Sequence, residues 1–229
     1  MAVIDFFDKG WAINPTGAAF VMDDTVWTFD EARKMSCRIA NALLATKLPK
    51  ESKVAVWSLN DPVAWICVLA IWRAGMTWVP INPRSSLEDN AHILSAFDCQ
   101  VLFFQKGFAD LVTSFADGAS KLEHTICLEE AVKGAPSLDE FVSGQASTPT
   151  AIDYDMDDVV MLGPTGGTTG MPKGVMNTHR NLQTFVAQYS MATTYRPGEP
   201  VVNLAATPAS SSNLPTRCWT WTTPTWVLS

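Results

Sequence analysis

Short apolar runs alternate along the chain with stretches of helical spacing. Lys53 to Trp57, Met76 to Ile81, Val101 to Phe104 and Thr125 to Leu128 are rich in Val, Ile and aromatic residues and bounded by turn residues, which predicts strands. Between them the period is helical. Thr28-Phe29-Asp30-Glu31 reads as a capping box opening a helix whose apolar positions are Phe29, Ala32, Ile39, Ala40, Leu43 and Leu44. Asn60-Asp61-Pro62 starts a second helix with proline in its first turn. Ser85 with Glu88 is expected to cap a third through about Phe97, and a fourth is predicted near Phe108 to Phe115.

Strands separated by helices of this length imply βαβ units, so the predicted fold class is α/β, with mainly parallel sheets flanked by helices. Gly134 to Asp153 is richer in Pro, Ser, Thr and Gly and reads as a connector with one short helix near Leu138 to Val142. Val159-Val160-Met161-Leu162 is an apolar run, Gly174 to Thr178 a further strand, and His179 to about Tyr195 a helix capped by Asn177 or Thr178. From Ala209 to Ser229 the character changes. This stretch holds Trp219, Trp221 and Trp226, many Thr and Ser, one arginine and no acid, and its apolar residues fit neither period. The expected division is a domain over 1–208 and an atypical tail over 209–229.

Composition narrows the function classes. A chain of 229 residues with 47% hydrophobic and 17% charged residues can bury a substantial core. A net charge of −7 without a Lys/Arg cluster argues against nucleic acid as a partner. Cys37, Cys67, Cys99, Cys127 and Cys218 are odd in number and far apart, which predicts free thiols in a reducing compartment, and His92, His124 and His179 show no metal-ligand spacing. The N-terminus lacks the pattern of a signal peptide, and the apolar stretch Trp65 to Trp72 is too short to span a bilayer before Arg73 stops it. The expected location is cytoplasmic.

The chemistry concentrates in Leu162-Gly163-Pro164-Thr165-Gly166-Gly167-Thr168-Thr169-Gly170-Met171-Pro172-Lys173-Gly174-Val175. Glycines let backbone N–H groups approach a ligand, threonine hydroxyls add donors, and the Lys173 ammonium is a point charge suited to phosphate. Such a loop is suited to a polyphosphate. It is not a Walker A motif, because Pro172 precedes the lysine and Gly174-Val175 follows it where Ser or Thr is required. The acids Asp153, Asp155, Asp157 and Asp158 precede the strand and read as a solvated approach to it, not a magnesium site.

The loop resembles the phosphate-binding signature of the adenylate-forming (acyl-activating) enzyme superfamily. Thr28-Phe29-Asp30-Glu31-Ala32, the Arg73-Ala74-Gly75 turn before Trp78-Val79-Pro80-Ile81-Asn82-Pro83-Arg84, and Asn177-Thr178-His179-Arg180-Asn181-Leu182 resemble further family segments in the same order, over roughly Met1 to Pro208. The resemblance implies the N-terminal part of an AMP-binding enzyme of the acyl-CoA ligase type. Such an enzyme couples a carboxylic acid to coenzyme A: the carboxylate attacks the α-phosphorus of ATP, pyrophosphate leaves, and the thiol displaces AMP. It further implies that Thr165, Gly166, Gly167, Thr168, Thr169, Gly170, Lys173 and Gly174 hold the ATP phosphates. Lys173, the catalytic residue, would offset charge on the departing pyrophosphate.

ATP, a carboxylic acid and coenzyme A are the implied partners, with Mg2+ as cofactor and no metal ligand assigned. A fatty acid is the expected substrate by frequency in the family, with aryl and amino acids open. The likeness breaks after Pro208, where Ala209-Ser210-Ser211-Ser212 stands in place of a Pro-x-x-His segment. The family's Tyr-Gly-x-Thr-Glu segment, ribose-binding aspartate, hinge and C-terminal lysine have no counterpart, so a truncation or frameshift near residue 208 is expected, leaving the chain inactive by itself. Two readings compete with a ligase: a non-catalytic nucleotide-binding or interaction remnant, and a P-loop NTPase, which the missing Gly-Lys-Ser/Thr disfavours.

Overall fold

The computed structural model describes residues 1–115, 121–165, 172–192, 200–203 and 219–222. The chain opens with α1 (Ile4–Ile13) and a hairpin of β1 (Ala18–Met22) and β2 (Thr25–Thr28). The hydrophobic pattern predicts none of these three, for local reasons. Val3 at the start of α1 supplies no side-chain cap. The hairpin turns through Asp23-Asp24, with Asp23 at φ 52°, so the turn lacks the glycine that usually marks such a site.

The helix α2 (Phe29–Ala45) carries the capping box read from sequence. The Thr28 hydroxyl accepts the Glu31 N–H at 3.2 Å, and the Glu31 carboxylate accepts the Thr28 N–H at 2.9 Å. Next come β3 (Lys53–Trp57) and α3 (Pro62–Arg73), whose first turn is capped by Asp61, its carboxylate accepting the Val63 N–H at 2.7 Å. The end of α3 is a Schellman turn: Met76 N–H donates to the Ile71 carbonyl, Gly75 N–H to that of Trp72, and Gly75 takes φ +66°.

Then follow β4 (Thr77–Ile81) and α4 (Leu87–Ala96). The cap of α4 is Ser86, whose hydroxyl accepts the Asp89 N–H at 3.0 Å, one residue later than the expected Ser85 and Glu88. Ser85 belongs to the preceding turn, donating its N–H to the Asn82 carbonyl.

The order continues with β5 (Cys99–Phe104), a 3-10 turn at Lys106–Phe108, α5 (Ala109–Phe115), β6 (His124–Cys127), α6 (Leu138–Phe141), β7 (Val159–Pro164), β8 (Gly174–Thr178), α7 (His179–Ala192), β9 (Pro200–Asn203) and β10 (Trp219–Thr222). The short α6 forms inside the predicted connector through a capping box between Ser137 and Glu140.

A six-stranded sheet runs β6-β5-β3-β4-β7-β8, parallel except for the β7–β8 hairpin. Strand alternation sends its apolar residues to two separate cores. Val54, Val56, Val101, Phe103 and Ile126 pack with α1, α2, α3 and α6, while Ala55, Trp57, Val79, Ile81, Leu102 and Phe104 pack with α4 and α5. This sheet confirms the predicted α/β class.

The smaller sheet, β2-β1-β10-β9, is antiparallel throughout and stands beside the mainly parallel one. Its strand β10 lies in the stretch for which no element was predicted. Trp221 pairs with Phe20 and Val201, so neighbours on both sides supply what a short, mixed pattern could not announce.

Arg73 does more than end an apolar stretch. It is buried, and its guanidinium donates to both carboxylate oxygens of Asp8 and to the Ser36 hydroxyl, joining α1, α2 and α3. Arg33 reaches the same carboxylate and lies over the Trp11 ring. Among the described residues no helix is long and apolar enough to cross a membrane.

Candidate functional site

In an open α/β sheet the carboxyl ends of the parallel strands are where loops gather side chains toward a ligand. At this edge the chain leaves β7 at Pro164 and re-enters β8 at Gly174, which are paired in register. Thr165 and Lys173 lie just beyond that pair and bond to each other. The Thr165 N–H donates to the Lys173 carbonyl at 2.7 Å, and its hydroxyl donates to the same carbonyl at 3.2 Å. The Lys173 N–H donates back to that hydroxyl at 3.3 Å. Both residues are exposed, and no ion pair engages the Lys173 ammonium among the described residues. Of the residues expected to hold phosphate, Gly166, Gly167, Thr168, Thr169 and Gly170 lie outside the described residues.

Gly174 serves packing. A Cβ built there would stand 2.8 Å from Leu162 Cδ1 and 3.0 Å from Phe97 Cζ, so the missing side chain lets the hairpin sit against the end of α4.

The next strand brings a second cation to the same edge. Trp78 pairs with Met161, and four residues on from each, one past the strand ends, stand Asn82 and Thr165. Asn82 organises its turn: its Oδ1 accepts the Arg84 N–H at 3.0 Å and its carbonyl accepts from the buried Asn90 amide at 3.1 Å. Arg84 is exposed and without an ion pair among the described residues. Sequence reading used Asn82-Pro83-Arg84 only as a likeness and passed over Asn90; a polar residue inside an apolar helix face was the available signal.

The far end of β8 is anchored rather than reactive. Thr178, not Asn177, caps α7: its hydroxyl accepts the Asn181 N–H at 3.2 Å, and Asn181 Oδ1 accepts the Thr178 N–H at 3.1 Å. His179 is buried, its Nδ1 accepting the Val3 N–H at 3.0 Å and its ring edge-on to Tyr154. Burial holds the imidazole below its ordinary pKa.

Two of the acids before β7, Asp157 and Asp158, pair with cations. Asp158 pairs with Lys50 at 2.6 Å and accepts the Asp155 N–H, while Asp157 pairs with Arg180 at 2.8 Å. The solvated reading holds for Asp157, whereas Asp158 is largely covered. Among the described residues no cluster of three or more His, Cys, Asp or Glu side chains is placed to hold a metal ion. Cys37, Cys67, Cys99 and Cys127 are buried free thiols, and burial pushes Cys99 up to about 12, far from a nucleophilic thiolate.

Comparison with known proteins agrees with this architecture. The chain matches the AMP-binding enzyme family over residues 7–220. It is 33% identical over 172 residues to 4-coumarate–CoA ligase 1 of Oryza sativa subsp. japonica, covering 71% of this chain and 30% of that protein. It is 29% identical over 170 residues to feruloyl-CoA synthase of Amycolatopsis sp, covering 74% and 32%. The chain thus spans about a third of the length of the curated relatives it matches.

Among solved structures, an anthranilate CoA ligase in complex with anthranoyl-AMP superposes with a TM-score of 0.81 at 22% identity, over 87% of this chain and 39% of that one. A Mycobacterium tuberculosis fatty acyl CoA synthetase superposes with a TM-score of 0.74 at 20% identity, over 86% and 38%. At these identities the superpositions establish the fold, and the family match establishes descent: the chain belongs to the AMP-binding enzymes.

Proposed function

We propose that this chain forms the phosphate-binding part of an ATP-dependent carboxylic acid–CoA ligase that acts through an acyl-adenylate. The observation that supports the reading is the Thr165–Lys173 pair at the carboxyl edge of a parallel sheet, the two residues between which the glycine- and threonine-rich sequence runs, in a member of the AMP-binding family. Bringing a carboxylate onto a polyphosphate means placing two anions together, so fixed donors and cations lower the barrier. In this reading Gly166, Gly167 and Gly170, with the hydroxyls of Thr165, Thr168 and Thr169, hold the β- and γ-phosphates. Lys173, the catalytic residue, offsets the charge that grows on pyrophosphate.

The acid is proposed to be aromatic. The coumarate and feruloyl relatives support this over the fatty acid expected by frequency. The division at residue 208 also stands as a proposal. The missing Pro-x-x-His supports it; the family match to residue 220 and the pairing of β10 weigh against it. Translating the coding region beyond codon 200 in all three frames tests it, since a shifted frame that restores Pro-x-x-His marks the tail as foreign.

The activity test is exchange of labelled pyrophosphate into ATP. It is measured with 4-coumarate, hexadecanoate or no acid, using both the 229-residue chain and a version extended by a relative's remaining sequence. Exchange by the extended version that depends on the aromatic acid supports the reading. Nucleotide binding without exchange in either version favours a non-catalytic role, and ATP hydrolysis without any acid points to an NTPase.

A further inference from the structure

Stability alone does not account for Asn90. The buried residues of α4 are Asn90, Ile93 and Leu94, one helical turn apart, and the last two belong to an apolar core. Asn90 is 0% exposed. Its Nδ2 donates to the Asn82 carbonyl at 3.1 Å, which fixes the amide's orientation, because the flipped form would set two acceptors against each other. Oδ1 is then buried with no hydrogen-bond partner among the described residues. A buried acceptor left unpaired lowers stability, whereas an apolar side chain of similar shape leaves no polar atom behind. The Asn82 carbonyl does not need the amide either, since the Ser85 N–H already donates to it at 3.1 Å.

What the amide adds is a tie between α4 and the turn after β4. Three bonds converge on Asn82: its carbonyl accepts from Asn90 and Ser85, and its Oδ1 accepts the Arg84 N–H at 3.0 Å. Arg84 leaves this turn exposed and without an ion pair among the described residues. It does so at the edge where Asn82, Thr165 and Lys173 stand one residue outside the neighbouring strands β4, β7 and β8. We infer that Asn90 is a positioning residue, acting through the Asn82 turn to hold Arg84 as a second cation for a phosphate-bearing substrate. This inference rests on the ligase reading and extends it from the loop to the end of β4. Two substrates of that reaction carry phosphate, ATP and coenzyme A, and the planar fork of a guanidinium suits the phosphates of either.

The test is made in the extended version with Asn90→Leu, Asn90→Ala, Arg84→Ala and a double variant joining Arg84→Ala to Asn90→Leu. KM for ATP is read from pyrophosphate exchange and KM for coenzyme A from thioester formation, each with its kcat, and urea midpoints report stability. Arg84→Ala is expected to raise one of the two KM values by about tenfold, the scale of one charge-assisted contact, with kcat unchanged. Both Asn90 variants should raise the same KM by about threefold, the scale of one net hydrogen bond. The double variant should match Arg84→Ala alone, because nothing is left to position. A rise for ATP places Arg84 on the triphosphate, and a rise for coenzyme A places it on the phosphates of that substrate.

Unchanged KM values in Arg84→Ala overturn the inference, as do additive effects in the double variant. Asn90 variants that lose stability while both KM values stay intact make Asn90 purely structural and overturn it too. Failure of the ligase reading looks different, since the unsubstituted extended version then shows no exchange at all. In that case calorimetry of the 229-residue chain with ATP and with coenzyme A decides: the same ordering of the variants keeps the inference, and any other result, absence of binding included, overturns it.

Discussion

The imidazole of His179 accepts a hydrogen bond from the main-chain N–H of Val3 at 3.0 Å, across 176 positions of sequence. This contact ties the start of α1 to the start of α7. It requires Nδ1 to be unprotonated, so the ring is neutral with its proton on Nε2. Asp158 and Asp5 face the ring as acids, Lys50 and the terminal ammonium as cations, and Tyr154 edge-on, but burial is the largest influence and lowers the pKa.

A histidine whose pKa falls on folding stabilises the fold fully above its unfolded value of about 6.5, and that contribution is lost as pH falls toward the folded value. Urea midpoints are therefore expected to drop between about pH 7 and pH 5. His179→Asn offers an oxygen acceptor that does not titrate and should flatten the decline in this window. Equal slopes for both proteins would remove His179 as the titrating group.

Asp8 answers the charge of Arg73, and each is what makes the other tolerable. Arg73 is 3% exposed and Asp8 28%. Removing the carboxylate in Asp8→Ala leaves a buried guanidinium with only Ser36 and is expected to cost about 3 kcal/mol, measured by urea unfolding. Arg73→Met, which removes the buried charge itself, should cost less than Asp8→Ala. The reverse order would show that packing, not charge, holds α1 to α3.

Gly75 closes α3 at φ +66°, and a Cβ there would meet Ile152 Cγ2 at 3.0 Å. Gly75→Ala is expected to destabilise by about 1 kcal/mol, from backbone strain with a small steric addition. Gly134, at φ +85° with open space around it, is the control: alanine there carries the strain without the contact and should cost less.

Lys173→Ala is expected to lower acid-dependent pyrophosphate exchange in the extended protein by more than about tenfold. Thermal stability should be unchanged, because the side chain is exposed. An unchanged exchange rate would remove Lys173 from the reaction.

Much of the frame was legible because its signals are local. The capping box of Thr28 and Glu31, the cap and proline of Asp61-Pro62, and the run Lys53–Trp57 are each recognisable from a few neighbouring residues. The loop from Thr165 to Gly174 stood out as the candidate site through its run of glycines, threonines and one lysine. Where local signals were missing, so was the reading: α1 lacks a cap, and the Asp23-Asp24 turn lacks a glycine.

By itself, then, the sequence determined the alternating architecture and the order of strands and helices from residue 53 to 192, and it singled out one loop as the candidate site. The tertiary structure decided what depends on partners far apart in the chain. It placed β10 between β1 and β9, buried Arg73 against Asp8, set His179 on Val3, and turned Gly174 into a packing surface for Leu162 and Phe97. The physical reason is common to all four. A strand edge, a buried charge, an imidazole acceptor and a missing Cβ acquire meaning only from the group brought against them, and nothing in a local window names that group.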